Sequence, residues 1–254
     1  MEITFNDKVV LVTGASRGIG AAAAYLFSQS GAKVVVHYNQ NKQSAETVLG
    51  SLAGSGHSIF QADMASPDDL KKMTSEIISR YWKIDILVNN AGIYEEDDMV
   101  QMPFDKFLEY WDETIRVNLT GPAILSNLVA REMVKTVGGR IINVTSRGAF
   151  RGEPTAWAYG ASKAGLNSTG QSMAKSLAKY GIFVFTLAPG FVETDMAGPC
   201  LVGEKRREIE SQTPLNRLAQ PEEIGRAILL LAAEGNEYMT GCILDMNGAS
   251  YLRT

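Results

Sequence analysis

Short runs of apolar residues alternate with longer segments of helical period along most of this chain. Strand-like runs rich in Val, Ile and Leu occupy Lys8–Thr13, Lys33–Tyr38, Ile59–Ala62, Ile84–Asn89, Arg140–Thr145, Phe183–Leu187 and Ile243–Met246. Helical patterns occupy Ala21–Ser30, Ser44–Ala53, Pro67–Tyr81, parts of the stretch from Phe104 to Val137, Trp157–Tyr180 and Glu222–Ala233. Apolar strands that alternate with helices are typical of a parallel sheet covered on both faces. The pattern therefore predicts an α/β fold, a single-domain, doubly wound, Rossmann-type parallel sheet of about seven strands with helices on both faces.

Length and charge limit the functions that a protein with this fold could have. The chain has 254 residues, 45% of them hydrophobic, and no Pro/Ser-rich linker, low-complexity tract or internal repeat divides it. Its formal charge of -4 lacks the basic excess that nonspecific nucleic-acid binding requires, so we expect no nucleic-acid partner. The start of the chain lacks a signal-peptide pattern, and its longest aliphatic run near the C-terminus, Ile228–Ala233, is far shorter than the roughly 20 residues that span a bilayer. We expect a cytoplasmic protein with no membrane segment.

Cysteine and histidine are both scarce. Cys200 and Cys242 are the only cysteines, and His37 and His57 are the only histidines. These residues are too few and too scattered for a disulfide framework, a catalytic zinc site or a Ser-His-Asp hydrolase. We therefore expect no metal.

A glycine-rich segment, Thr13–Gly20 (TGASRGIG), joins the first strand to the first helix. Gly14, Gly18 and Gly20 permit a tight turn and let the backbone approach a pyrophosphate at the helix N-terminus. In this strand–helix setting the segment predicts dinucleotide binding. Glycines that merely close the turn are the alternative interpretation.

The residues after the second strand indicate which dinucleotide is bound. An Asp or Glu there would bind the ribose 2′-hydroxyl of NAD and repel a 2′-phosphate, but the chain has Tyr38, Asn39 and Gln40. Arg17, in the glycine segment, carries a guanidinium that could reach a phosphate. We expect NADP(H) to be favoured over NAD(H); a solvated Arg17 beside a merely polar loop is the alternative.

Tyr159 and Lys163 lie four residues apart in a predicted helix and therefore share one face. An ammonium in that position favours the phenolate and lowers the tyrosine pKa from its ordinary value near 10. The pair would then supply a proton donor and acceptor near working pH. Because many ordinary helices carry such a pair, the spacing alone is a weak signal.

Several separated motifs, in one order along the chain, resemble those of the short-chain dehydrogenase/reductase family. They are Thr-Gly-x-x-x-Gly-x-Gly at 13–20, Asn-Asn-Ala-Gly at 89–92, Asn118, Ser146 placed 13 residues before Tyr159, and Pro189-Gly190 followed by Thr194. The resemblance covers the chain from end to end. It implies hydride transfer to or from a carbonyl by a catalytic tetrad of Ser146, Tyr159, Lys163 and Asn118.

The resemblance also implies a role for each member of the tetrad. Ser146 would hold the substrate oxygen, Tyr159 would exchange its proton, and Lys163 would also hold the nicotinamide ribose. Asn118 would disturb the helix ladder and position a water; without the family match it is an ordinary polar helix residue. A homotetramer is implied too, and the apolar segment 241–252 supports it.

Further cofactor contacts follow from the same resemblance. Asp63 would contact the adenine, with a plain turn residue as the alternative, and the Pro189–Gly190 turn would lie near the nicotinamide unless it is only a turn. The full expected set is Gly14, Ser16, Arg17, Gly18, Ile19, Gly20, Tyr38, Asn39, Asp63, Met64, Asn90, Ala91, Gly92, Tyr159, Lys163, Pro189, Gly190, Val192 and Thr194.

The substrate is the least determined feature. Segments 190–196 (GFVETDM) and 213–223 (TPLNRLAQPEE) resemble those of bacterial 3-oxoacyl-[acyl-carrier-protein] reductases. Those enzymes dock an acidic carrier through basic residues, whose positions here hold Val137 and Tyr180, with Lys135 and Lys179 as neighbours. The acidic run 95–98 (EEDD) would oppose such a carrier, unless it is only a surface loop. We expect either an acyl-thioester carbonyl or a small free carbonyl, polyol or sugar-derived substrate; a non-catalytic dinucleotide-binding sensor is the remote alternative.

Overall fold

Seven parallel strands form one sheet in the order β3-β2-β1-β4-β5-β6-β7. The computed structural model describes residues 3–196, 198 and 203–253, and Cys200 lies outside them. The strands are β1 (Val9–Val12), β2 (Lys33–Tyr38), β3 (Ser58–Gln61), β4 (Ile86–Asn89), β5 (Gly139–Val144), β6 (Ile182–Pro189) and β7 (Ile243–Met246). The predicted fold class and number of strands are confirmed.

Nine α-helices lie within the described part of the chain. They are α1 (Gly18–Gln29), α2 (Lys42–Ser51), α3 (Pro67–Tyr81), α4 (Phe104–Ile115), α5 (Gly121–Met133), α6 (Gly148–Arg151), α7 (Trp157–Leu177), α8 (Gly203–Ser211) and α9 (Pro221–Ala232). None of the described helices has the length and apolar character needed to cross a membrane.

The two faces of the sheet bury separate apolar cores because successive side chains of a strand point in opposite directions. In β1, Val10 and Val12 pack into a core that includes α1 and α9. Val9 and Leu11 enter the opposite core, with α3 and α5. Helices therefore cover both faces, as the uninterrupted apolar strands indicated.

Two helices were missed by the sequence pattern. Helix α6 is a single turn, and α8 (GEKRREIES) buries only Ile209 among its described residues. Neither presents the apolar stripe on which helix prediction depends. Elsewhere the predicted elements differ from the observed ones by a few residues: α1 begins at Gly18, β6 extends to Pro189, and a 3₁₀ turn at 178–180 ends the α7 region.

A π-helical segment, Arg116–Thr120, connects α4 and α5. The last hydrogen bond of this segment runs from the N–H of Gly121 to the carbonyl oxygen of Arg116, five residues earlier. A Cβ on Gly121 would lie 2.2 Å from the oxygen of Met64, so this segment packs tightly against the loop after β3. π-Helical segments of this kind occur often at functional sites. This one contains Asn118, which the sequence had placed in a helix interior.

Candidate active site

A cleft of about 750 Å³ runs along the carboxyl ends of the strands. It lies where β1 pairs with β2 on one side and with β4 on the other, the switch point at which open α/β sheets bind ligands. The predicted residues that line it are Gly14, Ser16, Arg17, Gly18, Ile19, Tyr38, Asn39, Asp63, Met64, Asn90, Ala91, Gly92, Ser146, Tyr159, Lys163, Pro189, Gly190, Val192 and Thr194. Two of the expected site residues, Gly20 and Asn118, do not line the cleft.

Two glycines of the glycine loop occupy positions with no room for a side chain. Gly14 has a φ of +62°, and a Cβ there would lie 2.9 Å from the Cα of Ala91. A Cβ on Gly20 would lie 2.5 Å from the oxygen of Gly14. Gly20 thus lets α1 approach the loop from behind, whereas the sequence had assigned it to the approach of the pyrophosphate. The tight loop at the N-terminus of α1 fits a dinucleotide diphosphate.

Thr13 joins this loop to the segment after β4. Its hydroxyl accepts hydrogen bonds from the N–H groups of Asn90, at 2.9 Å, and Ala91, at 3.0 Å. The Asn90 amide returns a bond to the carbonyl of Thr13 at 2.9 Å. Two walls of the cleft are therefore fixed to each other before any ligand binds.

His37, which in the sequence counted only against a zinc site and a hydrolase, is part of the same framework. Its Nδ1 accepts a hydrogen bond from the N–H of Gly14 at 3.0 Å, so its Nε2 carries the proton and donates to the oxygen of Ala62, also at 3.0 Å. Burial lowers the pKa of His37 to about 4. A polar residue in the buried strand KVVVHY was the one signal that could have revealed this role.

The loop after β2 contributes no acid to the cleft. Tyr38, Asn39 and Ser44 line it, and the side chain of Asn41 accepts the N–H of Ser44 at 2.9 Å to begin α2. Arg17 lies across from them, mostly exposed, with its Nη1 4.0 Å from a carboxylate oxygen of Asp195. This end of the cleft is therefore polar, with the guanidinium of Arg17 and the carboxylate of Asp195 side by side.

Asp63 lines the cleft but also performs the turn role proposed as its alternative. Its carboxylate accepts the N–H of Ala65 at 2.8 Å, and its own N–H donates to Asp69 at 3.0 Å.

Ser146, Tyr159 and Lys163 converge at the opposite end of the cleft. Ser146 follows β5, and its hydroxyl oxygen accepts the N–H of Gly148 at 3.0 Å, which leaves its proton available to donate. Tyr159 and Lys163 share one face of α7, with the ammonium nitrogen 5.7 Å from the centre of the phenol ring. Lys163 is buried and donates to the carbonyl of Val144 at 3.1 Å.

The pKa of Tyr159 differs from the expectation. Burial raises the pKa of Tyr159 to about 12, more than the hydrogen bond with Ser146 lowers it, and the charge of Glu153 adds to the increase. Burial also lowers the pKa of Lys163 to about 8. The expected net fall of the tyrosine pKa is therefore not found in the protein by itself, because the cost of burying a phenolate exceeds the contribution that favours it. At neutral pH the phenol keeps its proton.

Asn118 braces the segment that passes beside Lys163. Its Oδ1 accepts the N–H of Ile93 at 2.8 Å, and its Nδ2 donates to the carbonyl of Ile93 at 2.9 Å. A Cβ on the adjacent Gly92 would lie 3.2 Å from the Asn118 oxygen and 3.3 Å from the Lys163 nitrogen. The expected disturbance of the helix ladder at Asn118 is present as the π-helical segment; its role with a water stays a prediction.

The acidic run 95–98 is exposed and does not line the cleft. Asp98 accepts the N–H of Val100 at 3.0 Å and so shapes a turn, while Glu96 forms an ion pair with Lys205 of α8 at 2.9 Å. At least two of these acids thus have structural roles. Whether the run repels an acidic carrier stays a prediction.

The positions that correspond to a carrier-docking surface lie at the amino ends of the strands, on the side of the sheet opposite the cleft. Val137 is 91% exposed and precedes β5, whose first residue pairs with Ile182 at the amino end of β6. The neighbouring Lys135 is paired with Glu132 at 2.7 Å. Lys179, the other neighbouring lysine, lies over the ring of Tyr180 and has no carboxylate oxygen within 4.0 Å among the described residues, so one of the two lysines keeps an unpaired positive charge.

No cluster of three or more His, Cys, Asp or Glu that could hold a metal occurs among the residues the structure describes. The site thus combines a dinucleotide-type cleft with a Ser-Tyr-Lys group. This combination defines a Rossmann-fold oxidoreductase that acts on C=O or CH–OH groups.

Comparison with known proteins identifies the family. A family model described as Enoyl-(Acyl carrier protein) reductase matches residues 14–248. The chain belongs to the short-chain dehydrogenase/reductase family.

Similar proteins include 3-oxoacyl-[acyl-carrier-protein] reductases from several bacteria. The Synechocystis sp. protein is 37% identical over 244 residues, which cover 95% of this chain and 96% of the relative. The Aquifex aeolicus protein is 35% identical over 254 residues, covering 99% and 100%. Among solved structures, that of gox2181 matches with a TM-score of 0.91 and 25% identity, over 98% of this chain and 97% of the other.

Proposed function

We propose that this protein is an NADP(H)-dependent reductase that converts the ketone of a 3-oxoacyl compound to a secondary alcohol. The observation that carries the proposal is the convergence of Ser146, Tyr159 and Lys163 at one end of the dinucleotide-type cleft. The names of the bacterial relatives support the 3-oxoacyl group. The absence of an acid after β2, together with the exposed Arg17 at that end, supports NADP(H) over NAD(H).

The nicotinamide cofactor supplies a hydride to the carbonyl carbon when it is bound. Ser146 donates its hydroxyl proton to the carbonyl oxygen, while its own oxygen accepts the N–H of Gly148. Tyr159, protonated at neutral pH, transfers its proton to the same oxygen as the alcohol forms. The Lys163 ammonium stabilises the resulting phenolate, and Asn118 keeps the segment at Gly92 in place beside it. A proton from solvent then restores Tyr159.

A second candidate is the reduction of a small free carbonyl compound. Lys135 is paired with Glu132, and the positions expected to dock a carrier hold Val137 and Tyr180. Both observations reduce the attraction for an acidic carrier protein.

NADPH consumption with acetoacetyl thioesters, neutral ketones and free oxo acids tests the function. Tyr159→Phe removes the proton donor and should lower kcat/KM by about 10²–10⁴-fold. NADPH binding, followed by its fluorescence, and circular dichroism serve as controls for the site and the fold. Equal rates in the two proteins would refute the assignment.

We also propose a homotetramer. Strand β7 is an edge strand whose four residues are all only half-buried, and Leu252 beyond it is largely exposed. An exposed strand edge is a surface on which a second copy could pack. A monomeric mass by light scattering would contradict this proposal.

A further inference from the structure

Arg147, the residue after Ser146, is a charged side chain that the mechanism above does not use. It is 3% exposed, yet it lines the cleft. Its guanidinium lies over the ring of Phe191, 4.8 Å from the ring centre. Its backbone N–H donates to the carbonyl of Pro189 at 2.8 Å, which fixes the residue against the loop after β6.

No carboxylate oxygen within the described residues lies within 4.0 Å of this guanidinium. The acid whose charge most favours protonated Arg147 is Glu153, but Glu153 is paired with Arg151, its oxygen 3.6 Å from the Arg151 Nε. Arg147, Arg151 and Glu153 therefore bring together two guanidinium groups and a single carboxylate. Burial of a charge without an ion-pair partner is costly, and a buried charge of this kind in a cleft indicates a functional site.

Gln212 shows where an anionic group would bind. Its amide oxygen accepts hydrogen bonds from Nη2 of Arg147 at 2.6 Å and from Nη1 of Arg151 at 3.4 Å. A neutral amide oxygen thus occupies the position between two guanidinium groups that a carboxylate oxygen would fill more favourably. Gln212 follows α8 directly, on a segment separate from the sheet.

Arg147 lines the same cleft as the reacting groups. Arg147 is the immediate neighbour of Ser146, and Tyr94, which also lines the cleft, packs its ring edge-on against Tyr159 with the centroids 4.8 Å apart. A substrate whose ketone lies between Ser146 and Tyr159 would bring a charge only a few bonds away to Arg147. A thioester carries no charge at that point, whereas a free acid does.

We propose that Arg147 determines specificity by binding the carboxylate of the substrate, so that the substrates are short free oxo acids, reduced to hydroxy acids, rather than acyl thioesters. The proposal rests on the carbonyl-reductase function proposed above and selects one substrate class within it. Gln212 gives up its bonds to the two arginines when the acid binds.

The test compares acetoacetate with its methyl ester and with an acetoacetyl thioester, using NADPH and the full-length protein. We expect kcat/KM for the acid to exceed that for the ester by at least about tenfold, the effect of one charge-assisted hydrogen bond. Arg147→Met should lower this acid-to-ester ratio at least about tenfold, mainly through KM, and Arg147→Lys should restore part of it. The matched control is Arg207→Met, an exposed arginine of α8, which should keep the wild-type ratio.

Gln212→Glu tests the same role of Arg147 if Arg147→Met does not fold. It keeps the shape of the side chain but places a carboxylate between the two arginines, where it competes with the acid and lowers the ratio. A wild-type protein that reduces the ester or thioester as well as the acid, or a ratio unchanged by both substitutions, would overturn the inference and leave the proposed function intact. Reduction of none of the carbonyl compounds would overturn both.

Discussion

The backbone N–H of Gly14 donates a hydrogen bond to Nδ1 of His37 at 3.0 Å. Because Nε2 donates to the carbonyl of Ala62, the imidazole must be neutral to make both bonds. Burial enforces this state by lowering the pKa of His37 to about 4. The shape of the glycine loop thus depends on a histidine that stays unprotonated at the end of β2.

The first prediction concerns stability at mildly acidic pH. The folded protein binds fewer protons at His37 than the unfolded chain between pH 6.5 and about 4, so stability should fall as the pH falls through that range. The loss from this group is at most about 3.4 kcal/mol, since each pKa unit corresponds to about 1.4 kcal/mol. His37→Asn keeps an acceptor for Gly14 but cannot titrate; it should cost about 1–3 kcal/mol at neutral pH and reduce the acid-side slope. Urea unfolding at several pH values measures both, and an unchanged slope would contradict the assignment.

His37 also shows which parts of the site could be predicted from the sequence. The apolar strands, the glycines and the Tyr159–Lys163 spacing are local patterns, and each lies where the pattern placed it. The partners of His37 come from the ends of β1 and β3, and only the register of the sheet brings them together.

Arg147 was missed for a similar reason. It reads as a surface residue in a polar loop, because Phe191 and Gln212, which bury and bind it, lie far along the chain. The pKa of Tyr159 was predicted in the wrong direction because helix spacing shows the nearby ammonium but not the depth of burial. Features that depend on long-range packing are the ones that the sequence did not reveal.

The second prediction concerns the choice of cofactor. Asn39→Asp places an acid after β2, where it can bind a ribose 2′-hydroxyl and repel a 2′-phosphate. It should weaken NADPH binding by at least about tenfold, the effect of one charge-assisted contact, and improve NADH binding. Arg17→Ala should weaken NADPH more than NADH. Dissociation constants from NAD(P)H fluorescence give both ratios; tighter binding of NADH than NADPH by the wild-type protein would contradict the NADP(H) proposal.

The third prediction compares two glycines. Gly14→Ala introduces a Cβ 2.9 Å from the backbone of Ala91 at a φ of +62°, so the loop must move. We expect a loss of about 1–3 kcal/mol in stability together with weaker cofactor binding. Gly50 lies within α2 with nothing within 4 Å of its Cβ position, and Gly50→Ala should gain about 0.5–1 kcal/mol. Urea unfolding of the two variants should therefore give shifts of opposite sign, and equal shifts would show that Gly14 is not constrained.

The fourth prediction concerns the pH dependence of reduction. Burial lowers the pKa of Lys163 to about 8, so the ammonium loses its proton above that pH. If its charge stabilises the phenolate formed at Tyr159, kcat/KM should be level near neutral pH and fall above about pH 8, approaching tenfold per pH unit as expected for one ionisation.

Two substitutions separate the charge of Lys163 from its shape. Lys163→Arg should have a lower maximum, because the guanidinium must fit a buried space bounded by Gly92, but its rate should not fall above pH 8, since the charge persists. Lys163→Met should be slow throughout the range, with no change near pH 8. Initial rates of NADPH consumption at saturating cofactor across the pH range provide the profiles. A fall with the same midpoint in Lys163→Arg would assign the ionisation to another group and remove Lys163 from this role.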